Sequence, residues 1–311
     1  MSENEVYPQW EDHGHTLKLF VPQPFSFAEN MKYLSNAPNE CLFHIKEQRL
    51  YRAIPIEGET LVIEISSDHD HSITVRFMGD TAPSCERVRS AVVRYVRDWF
   101  DLDTDLLPFY KLAKSDPLLH RAADSFHGLR VIGIPDLFEA ICWGIIGQQI
   151  NLTYAYTLKR RFVERFGRHV SCEGESYWLF PSAQEIAVLA VEDLAELRMT
   201  VKKCEYLIGT AKLIAEGRMS KELLTAAGDL KTAEKLLVNL RGIGPWTANY
   251  VLMRCLRMPS AFPIDDVGLH NAIKYVMGTE KKPSKEEILK LSKAWTGWES
   301  YATFYLWRFL Y

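Results

Sequence analysis

Leu240-Arg241-Gly242-Ile243-Gly244-Pro245-Trp246-Thr247-Ala248 lies between two stretches whose apolar residues recur at helical spacing. Two glycines around one apolar residue allow a tight turn with positive φ and let another backbone come close. Pro245 suits the first turn of the helix that follows, because its missing N–H has no intrahelical partner there. The amides of Trp246 and Thr247 then point out of the helix start, where they and the positive end of the helix dipole can grip a phosphate. Gly-x-Gly-Pro is also an ordinary way to end one helix and start another. A second feature strengthens the phosphate reading: Phe262-Pro263-Ile264-Asp265-Asp266 sets an acidic pair at the end of a loop and the head of the next helix. An N-cap is the expected job of Asp265, which leaves Asp266 to be explained otherwise.

Outward from this turn, almost everything beyond Leu107 has helical period. Helices are predicted over 137–150, 152–166, 183–189, 201–216, 230–240, 245–256, 265–276 and 284–309, with 168–181 as a long loop. Ahead of them, Leu17-Lys18-Leu19-Phe20-Val21, Leu61-Val62-Ile63-Glu64-Ile65 and Ile73-Thr74-Val75-Arg76-Phe77 alternate as strands do. Glu57-Gly58-Glu59 and Asp68-His69-Asp70 separate them as turns, and a helix over 84–100 should cover one sheet face. The expected fold class is α+β: an N-terminal antiparallel β-sheet domain with a packed helix over 1–112, then an all-α domain over 113–311.

Composition removes several function classes. With 47% apolar and 12% aromatic residues in 311, the chain is neither disordered nor a disulfide miniprotein. Its six cysteines are never closer than 30 positions, so no CxxC knuckle or iron–sulfur ligand run can be drawn, and they read as reduced core thiols. The opening Met1-Ser2-Glu3-Asn4-Glu5 is wrong for a signal peptide, so a cytoplasmic location is expected. The uncharged stretch 140–158 carries Gln148, Gln149, Asn151 and Thr153 in its middle and is rejected as a membrane span. The net charge of -3 hides an asymmetry: 1–150 holds 14 basic against 22 acidic residues, and 151–311 holds 23 against 18. A polyanion would prefer the second half.

These motifs together resemble the DNA-3-methyladenine glycosylase II family of helix-hairpin-helix base-excision glycosylases. Gly242 to Tyr250 looks like the family's hairpin, and Asp266 falls at its catalytic aspartate. Leu129-Arg130-Val131 to Gly147-Gln148-Gln149 looks like the segment that opens the family's helical domain. Trp298-Glu299-Ser300-Tyr301-Ala302 resembles its C-terminal aromatic motif, and Pro24-Phe25-Ser26-Phe27 the start of its N-terminal sheet domain. The resemblance runs over most of the chain.

It implies a monofunctional DNA glycosylase that flips an alkylated purine out of double-stranded DNA and hydrolyses its N-glycosidic bond. Asp266 would stabilise the oxocarbenium-like sugar and orient or deprotonate water. Trp246 with Tyr250, and Trp298 with Tyr301, would form the base pocket, their electron-rich faces attracting a cationic base. Gly242, Gly244, Trp246 and Thr247 would contact DNA. The residue filling the gap left by the flipped base maps to Gln149, where some relatives carry leucine, with Ile150 as a substitute. Bifunctional relatives carry a lysine where this chain has Trp246, so strand cleavage is not expected. No cofactor is expected to be required, although the carbonyls of Val238, Leu240 and Ile243 map to a family site for a Na or K ion. A monomer is expected. His270 and the other histidines make no ligand constellation, and Lys281, Lys282, Lys285, Lys290 and Lys293 read as a solvated face. The rival readings are a glycosylase for oxidised or deaminated bases and a non-catalytic DNA-binding or regulatory protein.

Overall fold

Alternation builds the N-terminal half. The computed structural model describes residues 9–37, 39–69 and 71–310; Met1–Glu5 and Asp70 of the second turn lie outside them. Strands β1 (Trp10–Asp12), β2 (Thr16–Phe20), β3 (Phe43–Lys46), β4 (Arg49–Ile56), β5 (Glu59–Ser66) and β6 (Ser72–Phe77) form one sheet in the order β1-β2-β6-β5-β4-β3. Every pairing is antiparallel. Leu17, Leu19, Ile63, Ile65, Ile73 and Val75 send their side chains into the core. Helix α2 (Glu86–Trp99) buries Val88, Val92, Val93, Val96 and Trp99. The sheet domain also contains an unexpected helix, α1 (Phe27–Ser35), capped by Ser26 accepting from the Glu29 amide. The prolines just before it hide its periodicity.

The second half is helical: α3 (Leu107–Ser115), α4 (His120–Ser125), α5 (Leu137–Ile146), α6 (Leu152–Phe166), α7 (Ala183–Ala187), α8 (Val201–Ala215), α9 (Lys221–Ala226), α10 (Leu230–Val238), α11 (Pro245–Arg254), α12 (Val267–Met277), α13 (Lys285–Leu291) and α14 (Glu299–Trp307). Three expectations need correction. The helix predicted over 137–150 ends at Ile146, which also splits the uncharged stretch 140–158; no helix among the described residues is long and apolar enough to cross a membrane. The helix predicted over 284–309 is broken by a 3-10 turn at Ser292–Trp295 and by Gly297 at φ 84°. The predicted loop 168–181 is a hairpin, β7 (Arg168–Cys172) and β8 (Glu175–Leu179), turning at Glu173 and Gly174, both with positive φ. Its Tyr177 and Leu179 pack on Ala53 and Val62 of the sheet.

One hydrophobic core runs through both halves, and the expected boundary at 112/113 falls inside α3. Buried Arg130 ties them further, donating to the carbonyls of Pro22, Pro24 and Asp101. Cys41, Cys142, Cys204 and Cys255 are buried thiols as expected, but two of the six depart from that expectation: Cys85, which precedes α2, is exposed, and Cys172 at the end of β7 is half-buried.

Candidate active site

The turn between α10 and α11 is tightened by Ile243 donating to the Leu240 carbonyl at 3.1 Å. Leu240 and Ile243 are buried and anchor it in the core, while Val238 is exposed. Only one of the two glycines has positive φ. Gly242 sits at φ 91°, and a Cβ there would come 2.2 Å from the Tyr206 ring, so steric fit demands glycine. Gly244 is the extended N-cap of α11, and a Cβ there would meet nothing within 4 Å. Pro245 occupies the first helical turn. Among the described residues, no backbone bond engages the amides of Trp246 and Thr247. The Thr247 side chain points inward; a Cβ on Gly144 of α5 would lie 2.5 Å from its Cγ2.

Asp266, not Asp265, caps α12. Its Oδ1 accepts from the Leu269 amide at 2.7 Å and from Trp307 Nε1 at 2.8 Å, and its Oδ2 accepts from Trp246 Nε1 at 3.0 Å. Asp265 is exposed and pairs with Lys285 at 2.8 Å. The cap goes to the carboxylate that can reach the first-turn amides, and the outer one is left to solvent. His270 bridges the Ile264 and Pro283 carbonyls, and among the described residues no group of three His, Cys, Asp or Glu is placed to hold a metal.

The carboxylate faces a cavity of about 950 Å³ between the halves. Trp246 and Tyr250 line it and stack, with centroids 5.6 Å apart and planes at 26°. The expected second pair is elsewhere. Trp298 and Tyr301 do touch, at 5.7 Å, but they pack on Phe109 of α3, and the Tyr301 hydroxyl bonds Asp101. The aromatic that α14 gives the cavity is Trp307, six residues beyond Tyr301 and therefore roughly 240° around the helix. The C-terminal motif instead fixes the loop leading to Asp266, with the Ser300 hydroxyl lying 2.7 and 2.8 Å from the Met258 and Ala261 carbonyls, either of which can take its proton.

Sequence reasoning also missed Trp143 and Tyr156, which line the cavity with centroids 4.6 Å apart. They come from α5 and α6, whose facing sides become a wall only once the helices pack. Arg254 Nη1 donates to the Tyr250 hydroxyl at 2.9 Å, and burial pushes that phenol up to about 12. Gln149 stands exposed at the rim with φ 59°, a conformation uncommon outside glycine, and Ile150 is half-buried beside it.

Four buried charges, Glu40, Arg52, Glu139 and Lys159, also line the cavity and form its floor. Lys159 Nζ lies 3.1 Å from both Glu40 and Glu139, and Arg52 lies 3.1 Å from Glu139. Burial opposes the charge of Lys159, yet Glu40 and Glu139 hold its pKa well above that of an ordinary lysine. Burial likewise opposes ionisation of Glu40, but Lys159 and the amides of Leu42 and Cys41 outweigh it and lower its pKa. The floor joins both halves and no spacing in the sequence announces it.

Residues 142–297 match the HhH-GPD superfamily base excision DNA repair protein family, and residues 39–141 match the 8-oxoguanine DNA glycosylase N-terminal domain. The chain is 50% identical over 302 residues to a DNA-3-methyladenine glycosylase of Bacillus subtilis, covering 97% of this chain and 99% of that one. A 3-methyladenine DNA-glycosylase from Archaeoglobus fulgidus has the same fold, with a TM-score of 0.77 at 24% identity over 94% of this chain and 97% of that one. So does an 8-oxoguanine glycosylase/lyase of Clostridium acetobutylicum in complex with double-stranded DNA, with a TM-score of 0.75 at 17% identity over 97% of each chain. Two adjoining domains are matched and half the residues are shared with one relative over nearly the whole length: the chain belongs to the HhH-GPD superfamily of base excision DNA repair proteins.

Proposed function

We propose that the protein excises alkylated purines from double-stranded DNA, releasing the base and leaving the strand intact. The observation that carries this is Asp266, a carboxylate held by two indole N–H groups and one amide in the lining of an aromatic cavity. A flipped nucleotide would place its base among Trp246, Tyr250, Trp143 and Trp307 and its sugar at the carboxylate. An alkylated ring nitrogen makes the base cationic and already a good leaving group, so a single carboxylate suffices. Asp266 stabilises the oxocarbenium-like sugar and orients the attacking water. The name of the half-identical Bacillus subtilis relative supports the substrate class.

Absence of strand cleavage rests on a second observation. At the position where bifunctional relatives carry their lysine stands Trp246, committed to Asp266. Among the described residues the one lysine lining the cavity, Lys159, is held protonated between two carboxylates, and an ammonium is no nucleophile. The match of 39–141 favours the oxidised-base reading, and a substrate panel decides between them. Duplexes carrying single 7-methylguanine, hypoxanthine or 8-oxoguanine lesions should lose the first fastest; 8-oxoguanine leaving fastest would overturn the assignment.

DNA would be gripped by the free amides of Trp246 and Thr247 at the start of α11. The open space around Gly244 leaves room for a phosphate, and Gln149 or Ile150 would fill the gap in the duplex. The carbonyls of Val238, Leu240 and Ile243 fit a Na or K ion: all are oxygen donors, and among the described residues those of Val238 and Ile243 accept no backbone amide. Such an ion would supply positive charge toward a DNA phosphate. The protein would act as a monomer in the cytosol.

A further inference from the structure

The rim loop 147–151 and the turn 239–244 come from distant parts of the chain and are joined by one side chain. Gln148 Nε2 donates to the Gly242 carbonyl at 2.9 Å, across 94 residues, and lies 3.4 Å from Thr247 Oγ1. The accepting carbonyl belongs to the residue whose conformation Tyr206 fixes. The loop is also held at both ends. Buried Lys203 of α8 donates to the Ile146 carbonyl at 2.8 Å, and Asn151 caps α6 by accepting from the Tyr154 amide at 2.8 Å. Between these anchors Gln149 is exposed at φ 59°, which an unrestrained loop would not favour.

We propose that Gln148 is a positioning residue that couples the duplex-opening loop to the phosphate-gripping turn. Seating the turn on the backbone then presents Gln149 to the gap left by the flipped nucleotide, with no separate ordering of the loop. The proposal rests on the reading of the turn and of Gln149 given above. A loop ordered in advance avoids losing conformational freedom at the moment of binding. Close packing of Gly144 against Thr247 already holds α5 to α11, so the Gln148 bond is spare to the fold and available for this task.

Gln148→Leu keeps the volume and removes the donor. Single-turnover excision of a 7-methylguanine in fully paired duplex should fall about tenfold, the worth of one well-made hydrogen bond. The same lesion in a mispaired site, which opens at little cost, should lose less than about threefold. In a Gln149→Ala background the Gln148→Leu change should cost less than about twofold, because the brace has nothing left to hold. Equal losses on paired and mispaired substrates, an undiminished loss in the Gln149→Ala background, or no loss at all would overturn the proposal. Binding reads the brace without the chemistry: 2-aminopurine beside an abasic site should brighten on insertion by wild type and less so with Gln148→Leu at saturating protein. An equal change in both proteins, or none in either, would also overturn it. If that signal behaves as expected while wild type excises no alkylated base, the substrate reading fails and the brace stands.

Discussion

Replacing Asp266 by Asn keeps the shape of the side chain and removes its charge. Asn Oδ1 can still accept from the Leu269 amide and from Trp307 Nε1, so the cap of α12 survives; Asn and Asp rank alike as caps. The amide nitrogen would then face Trp246 Nε1, which now donates to Asp266 Oδ2 at 3.0 Å. Losing that charge-assisted bond and opposing two donors costs about 1.5–3 kcal/mol, a shift of a few degrees in Tm for a chain of this size. Excision suffers more, since the developing sugar cation loses its counter-charge: a drop on the order of 10²–10³-fold is expected by analogy with deletion of one preorganised electrostatic group. Thermal melting, binding to abasic-site duplex and single-turnover release of 7-methylguanine separate the two effects. A folded variant that bound abasic DNA yet excised within about fivefold of wild type would refute the role of the carboxylate.

Trp307→Phe keeps a ring in the cavity but removes the N–H on Asp266 Oδ1, and excision should fall on the order of tenfold to a hundredfold; an unchanged single-turnover rate would show that donor to be idle. Gly244→Asp places a good N-cap where nothing stands within 4 Å, so melting should hold or rise slightly while low-salt affinity for any duplex falls. Unchanged affinity would make the turn a structural feature only. Lys159→Met takes the one paired cation from buried Glu40 and leaves Glu139 to Arg52 alone, and should cost about 3–5 kcal/mol in denaturant unfolding; a loss below about 1 kcal/mol would show the network to be dispensable. Glu40 and Glu64 have pKa values lowered in the fold from the ordinary 4.5, burial opposing ionisation and Lys159 or Arg76 prevailing. Their contribution is complete above 4.5 and is lost as pH falls through the lowered values, so acid titration of stability should steepen below 4.5. Stability flat across that window would contradict it.

The elements that local rules govern were legible from the sequence alone. Gly242 and Pro245 announce their turn because positive φ and a missing N–H are properties of single residues, and α6 begins and ends where its caps require. An N-cap expected at Asp265 falls one residue before the real one at Asp266, because two adjacent carboxylates compete for the same amides. Trp298 and Tyr301 share one side of α14, as their spacing requires, but spacing does not say which side meets the cavity; Trp307 does. The wall of Trp143 and Tyr156 and the floor of Glu40, Arg52, Glu139 and Lys159 come from four segments that meet only in the folded chain. Nothing local marks them, and they make up much of the cavity.

The central claim is that this cavity takes alkylated purines and the carboxylate releases them. Duplex DNA treated with a methylating agent, incubated with the protein, filtered and resolved by chromatography, tests it most directly. Free 3-methyladenine and 7-methylguanine should accumulate with time while the strands stay uncut until heated in alkali, and the Asp266→Asn protein should release neither at a comparable rate. Release of no methylated base by the folded wild-type protein, or release accompanied by strand scission and a borohydride-trapped covalent complex, would contradict the account.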